Sequence, residues 1–140
     1  MSTNGPTDIS LTKFEWSRLL GSSYSDTGNA LTTGADGSIY IAGNTSKDLN
    51  GQTFNGGGSD AFISKFNPDG TKVWTRLLGT SSFDTASSLT TGADGSIYIA
   101  GETYGDLDGQ TNSGSDDTLL DIGSEDAFLS KFNPDGTKVW

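Results

Sequence analysis

Apolar and polar positions alternate in short runs along the chain, and each run is bounded by Gly, Asn, Asp or Pro. Ser96–Gly101 (SIYIAG), Ala61–Phe66 (AFISKF) and Lys72–Leu78 (KVWTRLL) are rich in β-branched and aromatic residues. Their period of two, and the lack of any run long enough for an amphipathic helix, predict strands. Ala86–Thr91 reads as a further strand, joined to Ser96–Gly101 by Gly-Ala-Asp-Gly, whose residues tolerate positive φ in a tight hairpin. Ala61–Phe66 and Lys72–Leu78 are joined by Asn67-Pro68-Asp69-Gly70, which suits a type I turn closed by a glycine bulge. On the strands, Ile39 and Ile41 fall on one face and Tyr40 on the other.

The pattern repeats. A shift of 58 places Leu31–Gly43 (LTTGADGSIYIAG) on Leu89–Gly101 without a mismatch, and Trp16–Gly21 on Trp74–Gly79. Lys65–Trp74 recurs unchanged at Lys131–Trp140, but at a shift of 66, so the second copy carries an insertion near residues 115–122. Four-stranded antiparallel meanders repeated at nearly fixed period, with apolar residues on both faces, are what a β-propeller needs, because each blade is covered on both sides by its neighbours. The expected fold is therefore all-β, with about two blades per chain and an N-terminal outer strand. Residues 1–12 read as an arm and 13–21 as the outer strand of a preceding or closing blade. Residues 27–79 read as the first blade, and 85–140 as the second, with a truncated last strand. Two blades do not close a ring. Closure then requires further blades of a longer chain, or several copies joined head to tail.

Composition narrows the chemistry. A net charge of −10 repels phosphate backbones, which argues against nucleic acid as a partner. No run reaches the roughly 20 apolar residues of a membrane-spanning helix, and Met1–Ile9 has no basic and apolar signal-peptide pattern. Cysteine and histidine are both absent, which excludes disulfides, thiolate sites, histidine-based triads and the usual zinc ligands.

One group of motifs is more specific. Gly101, Thr103 and Leu107–Thr111 (LDGQT), then Ser59–Phe66 (SDAFISKF), then Trp74–Gly79 (WTRLLG), resemble the bacterial β-propeller repeat known as SBBP. The resemblance runs over nearly all of the chain after about Lys13. It implies an extracellular or cell-surface bacterial protein built from many such repeats, with few defined activities. The expected function is accordingly a non-catalytic propeller module, a structural or interaction scaffold that self-associates through its blade faces. A lectin-like carbohydrate binder is the first alternative, and a glycoside-active enzyme the second.

In a meander of this kind the tight turns lie at one edge of the blade and the long connections at the other. Residues 21–27, 44–59, 80–85 and 102–125 therefore share the edge where binding residues concentrate. Tyr24, Phe54, Phe83 and Tyr104 fall there and are the ligand candidates. Asp106, Asp108 and Asp116 are the metal candidates, because oxygen donors beside a turn-making glycine suit Ca²⁺, the one cofactor the sequence suggests. The competing reading is an acidic loop whose Asp and Asn residues cap turns. Trp74 and Trp140 read as blade packing, and Arg18 and Arg76 as structural partners of the tryptophans.

Overall fold

The computed structural model describes residues 16–114 and 124–140. They form two sheets and no helix: β1(Asp26–Thr33), β2(Ile39–Thr45), β3(Asp60–Phe66) and β4(Lys72–Leu78) in one, β5(Asp84–Thr91), β6(Ile97–Thr103) and β7(Asp126–Phe132) in the other. Every pairing is antiparallel and between sequence neighbours, which makes each sheet a meander. Both sheets carry the same bulge, between Gly28 and Ala30 and between Ala86 and Ser88. The turns match their chemistry. Gly37, Gly70, Gly95 and Gly136 all have φ near +80°, and the Gly70 amide bonds the Asn67 carbonyl at 2.9 Å as the type I turn requires.

The two sheets stack face to face, with β1 of the first beside β5 of the second. The core is the seam between them. Tyr40, Ala42, Ala61, Ile63 and Leu78 of the first sheet meet Ala86, Ile97, Ile99 and Phe132 of the second. Identical sequences thus have opposite burial. In Ile39-Tyr40-Ile41-Ala42 the tyrosine and alanine are buried and the isoleucines half-exposed, whereas in Ile97-Tyr98-Ile99-Ala100 the isoleucines are buried and the others are not. The first sheet presents its Tyr/Ala face to the second, and the second presents its Ile face to the first. Ile63 is 0% exposed, while Leu129, its counterpart on the second sheet's uncovered Tyr/Ala face, is 56% exposed. Burying such aliphatic side chains contributes about 1.5–3 kcal/mol each, so the stack rather than the single sheet stabilises the fold.

A clamp repeated in register adds direction to the seam. The Trp74 ring lies over Gly136, where a Cβ would come within 2.8 Å of it, and Trp74 Nε1 donates to the Pro134 carbonyl at 3.1 Å. Arg76 places its guanidinium 5.6 Å from the Trp74 ring centroid, and its Nε donates to the Gly136 carbonyl at 2.9 Å. One repeat earlier, Trp16 lies on Gly70, Arg18 lies over Trp16 at 5.3 Å, and Arg18 Nε donates to the Gly70 carbonyl at 3.2 Å. Trp16–Leu20, expected as part of an outer strand, is not hydrogen-bonded as a strand among the described residues. It nevertheless sits on the first sheet as β4 sits on the second. Its ladder partner would be the third strand of another sheet.

Candidate functional site

The long connections of both sheets emerge at the edge where β1, β3, β5 and β7 begin. At the first residue of each of these strands stands an aspartate that ties down the preceding connection. Asp26 accepts from the amide and hydroxyl of Ser22 (2.6 and 2.9 Å), and Asp84 from those of Thr80 (2.6 and 3.0 Å). Asp60 accepts from the amide and Nδ2 of Asn55, both at 2.8 Å, and Asp126 from the amide and hydroxyl of Ser113 (2.6 and 2.8 Å). Asp84 also accepts from the Thr103 hydroxyl at 2.5 Å. Strand entry thus fixes loop shape through charge-assisted bonds. These aspartates were not singled out as a set from sequence, although Asp84 repeats Asp26 and Asp126 repeats Asp60.

Asp60 and Asp84 both lie fully buried at the seam, where the Asp84 amide bonds the Ser59 carbonyl at 2.8 Å. Burial pushes the Asp60 carboxyl above the usual carboxylate range. The Asn55 donors oppose that shift, and the Asp84 charge adds to it. One oxygen of Asp60 and one of Asp26 are buried without a hydrogen-bond partner. The exposed turn acids behave in the opposite way. Asp36 and Asp94 are held below the usual range by the amides of Ser38 and Ser96, while Asp69 and Asp135 are lowered by Thr71 and Thr137.

The metal candidates are engaged within the protein. Asp106 Oδ1 accepts the Asn112 amide at 2.8 Å, as Asp48 accepts the Phe54 amide in the first repeat. Asp108, at φ 54°, is the first central residue of a tight turn and forms an ion pair with Lys138. Asn50, at φ 51°, holds the same turn and bonds Lys72. Leu49 and Leu107 in these turns are buried, so the Leu-Asn/Asp-Gly-Gln motif plugs its connection into the sheet end. Asp116 lies outside the described residues. Among the described residues, no three acidic side chains converge as a metal site.

The four aromatic candidates form two pairs. Tyr24 and Phe54 flank Lys47, whose ammonium lies 5.5 and 6.0 Å from their ring centroids. Phe83 and Tyr104 meet edge to face at 6.2 Å and 71°. Tyr24 is 69% exposed and Phe83 56% exposed, which leaves aromatic faces open at the long-loop edge. Phe83 rests on Gly58, where a Cβ would lie 1.8 Å from its ring. The glycine run of the first repeat therefore makes room for an aromatic ring of the next. Nearby Glu125 raises the Tyr104 phenol above its usual range by disfavouring the phenolate.

Two clefts are present, the larger of them lined on one side by Gly105–Asn112 of the long connection before β7. One, of ≈690 Å³, runs along β7 past Ala127, Phe128, Leu129 and Ser130 to Trp140. The other, of ≈300 Å³, lies on the Ile face of the first sheet between Trp16, Leu31, Ile39 and Ile41.

A four-stranded and a three-stranded meander, stacked face to face and built on one repeat, are the arrangement of β-propeller blades. Residues 15–50 match the family described as the SBBP beta-propeller repeat. Residues 34–72 match a second β-propeller family, described as a domain of unknown function, DUF5122. The regulatory protein FlaEY of Caulobacter vibrioides is 32% identical over 145 aligned positions, which cover 94% of this chain and 15% of that protein. The chain thus corresponds to a small part of the length of this relative.

Proposed function

We propose that this propeller module is a non-catalytic scaffold that acts by contact, stacking its two uncovered sheet faces against further blades and presenting the long-loop edge to partners. The observation that carries the reading is the inverted burial of Ile39–Ala42 and Ile97–Ala100. The same residues are core or surface according only to whether a neighbouring sheet is present. The buried Asp60 and Asp84 support a structural rather than a catalytic use of paired carboxylates, because a substrate has no access to a fully buried pair. The relative named as regulatory fits a protein that works by binding. Placement outside the cell or at its surface follows from the SBBP resemblance and belongs to this proposal.

The second reading, a carbohydrate-binding propeller, is favoured by the open faces of Tyr24 and Phe83, since aromatic faces stack on sugar rings. A glycan array and a panel of chromogenic glycosides separate the readings. The scaffold reading expects no saturable glycan binding and no hydrolysis. Binding lost in Phe83→Ala but retained in Trp74→Phe would replace it with the lectin reading.

A further inference from the structure

We infer that Asn55-Gly56 is a self-modification site, at which the asparagine cyclises onto the glycine amide and hydrolyses to a carboxylate, with Asp60 serving the departing nitrogen. The product loosens the seam between the two sheets at the long-loop edge, a seam that both sheets complete within the chain.

Asparagine followed by glycine is the pair in which the next backbone nitrogen reaches the side-chain carbonyl most freely, because glycine has no side chain to block the approach. Such pairs stand at Asn4, Asn50 and Asn55, and Asn4 lies outside the described residues. The other two differ in what holds them. Asn50 sits in a closed turn, where the amides of Leu49 and Gln52 bond each other's carbonyls at 3.1 and 2.9 Å. Its Nδ2 donates to Thr75 Oγ1 at 3.2 Å, and its Oδ1 accepts from Lys72. Asn55 is exposed, lies outside any strand and opens the glycine run Gly56–Gly58, with Gly56 at φ 111°. The Gly56 nitrogen has no hydrogen-bond partner among the described residues. Asn55 Nδ2 donates to Asp60 Oδ2 at 2.8 Å, while Asp60 Oδ1 is buried without a partner.

The Gly56 nitrogen attacks Asn55 Cγ, an N–Cγ bond forms and the Gly56 proton leaves. The Cγ–Nδ2 bond then breaks. Nδ2 departs as ammonia with a proton from the Asp60 carboxyl, 2.8 Å away, which takes up the proton lost from Gly56. Burial and the Asp84 charge favour the protonated form of that carboxyl. Water adds to the cyclic imide and opens it to aspartate or isoaspartate, so one water is consumed, one ammonia is released and nothing is oxidised. Either product exchanges an N–H donor for a carboxylate against Asp60, which is fully buried beside Asp84. Repulsion there weakens the tie between β3 and the connection that carries Phe54 and seats Phe83 on Gly58. The second repeat has neither reactive pair. Ser113 stands where the first repeat has Asn55 and holds Asp126 by its amide and hydroxyl, and Asp108 stands where the first has Asn50.

Peptide mass spectrometry of the whole chain, aged at neutral pH, is expected to show Asn55 converting severalfold faster than Asn50, with the difference collapsing in denaturant. Asp60→Asn keeps an oxygen against Asn55 but has no carboxyl proton to give, so it is expected to slow conversion at Asn55 and leave Asn50 unchanged. Asn55→Asp is expected to melt several degrees below the parent at neutral pH. Asn50→Asp is expected to melt with the parent, because Asp108 already pairs with Lys138 in the same turn. If Asn55→Asp does not fold, the aged parent reports the same loss of melting temperature. Asn55→Ser, which borrows the tie of the second repeat, is expected to melt with the fresh parent and not to age. Conversion at Asn55 no faster than at Asn50 in the folded chain overturns the site, and an unchanged rate in Asp60→Asn overturns the part given to Asp60. An Asn55→Asp chain, or an aged parent, that melts with the fresh parent overturns the effect on the seam.

Discussion

At the scale of single residues, acids dominate the chemistry, and they act in two opposed ways. Asp36, Asp69, Asp94 and Asp135 accept turn amides, so their folded-state pKa values lie below the unfolded ones. The stability they contribute is present above an unfolded value of about 3.9 and is lost as pH falls through the lowered folded values. Asp60 has the reverse sign. Its raised pKa means that the folded protein holds the proton more tightly than the unfolded chain, so its stabilising contribution exists at low pH and disappears as pH rises through the raised value. Asp60→Asn keeps an acceptor for Asn55 and removes a buried like charge beside Asp84. It is expected to raise the melting temperature at pH 7, with the gain shrinking as pH falls through the raised value of Asp60 and levelling off below an unfolded value of about 3.9; equal melting temperatures at pH 7 contradict this account. Asp106 gives a second test, because its carboxylate staples the Asn112 amide and Asp108 is paired with Lys138. Millimolar Ca²⁺ is expected to leave the melting temperature unchanged. Asp106→Ala is expected to lower it by an amount typical of a lost charged hydrogen bond, roughly 1–2 kcal/mol, with or without the ion.

At the scale of elements, the tryptophan–arginine pair on the outer strand joins one sheet to the turn of the next. Trp74→Ala is expected to destabilise the chain by about 2–3 kcal/mol, at or below the low end for a large buried aromatic because the ring is half-exposed. Arg76→Lys retains charge but loses the planar stack and the directed Nε bond to Gly136, so it is expected to recover little of the loss in Arg76→Ala. Chemical denaturation of the three variants checks both statements. The hairpins were legible because their information is local: Asn67-Pro68-Asp69-Gly70 demands its own turn, and SIYIAG its own strand. The clamp was legible only as a recurrence of Trp and Arg two residues apart. Its acceptor, the carbonyl of Gly136, lies 60 residues away in sequence and belongs to another sheet. The loop-tying aspartates were obscured in a similar way. In an acidic chain, Asp60 and Asp126 look like the other carboxylates until strand pairing places each at the head of a strand.

At the scale of the whole molecule, two sheets share one seam, and among the described residues no further sheet covers the other face of either. Position in the stack, not local sequence, decides what each side chain contributes. Ile41 and Ile99 occupy the same place in identical strands, yet Ile99 is 0% exposed in the seam while Ile41 lies on the uncovered Ile face. Asp at position 99 leaves an unpaired charge among Tyr40, Ala42 and Ile63, a cost of order 3–5 kcal/mol. Such a cost is a large share of the stability of a small domain, typically about 5–15 kcal/mol. Asp at position 41 stands at the rim of an open cleft and keeps its water. Ile99→Asp is therefore expected to lose the cooperative transition in circular dichroism. Ile41→Asp is expected to melt within a few degrees of the parent chain. Equal destabilisation by the two substitutions would mean that the Ile face of the first sheet is covered within one chain as fully as the seam.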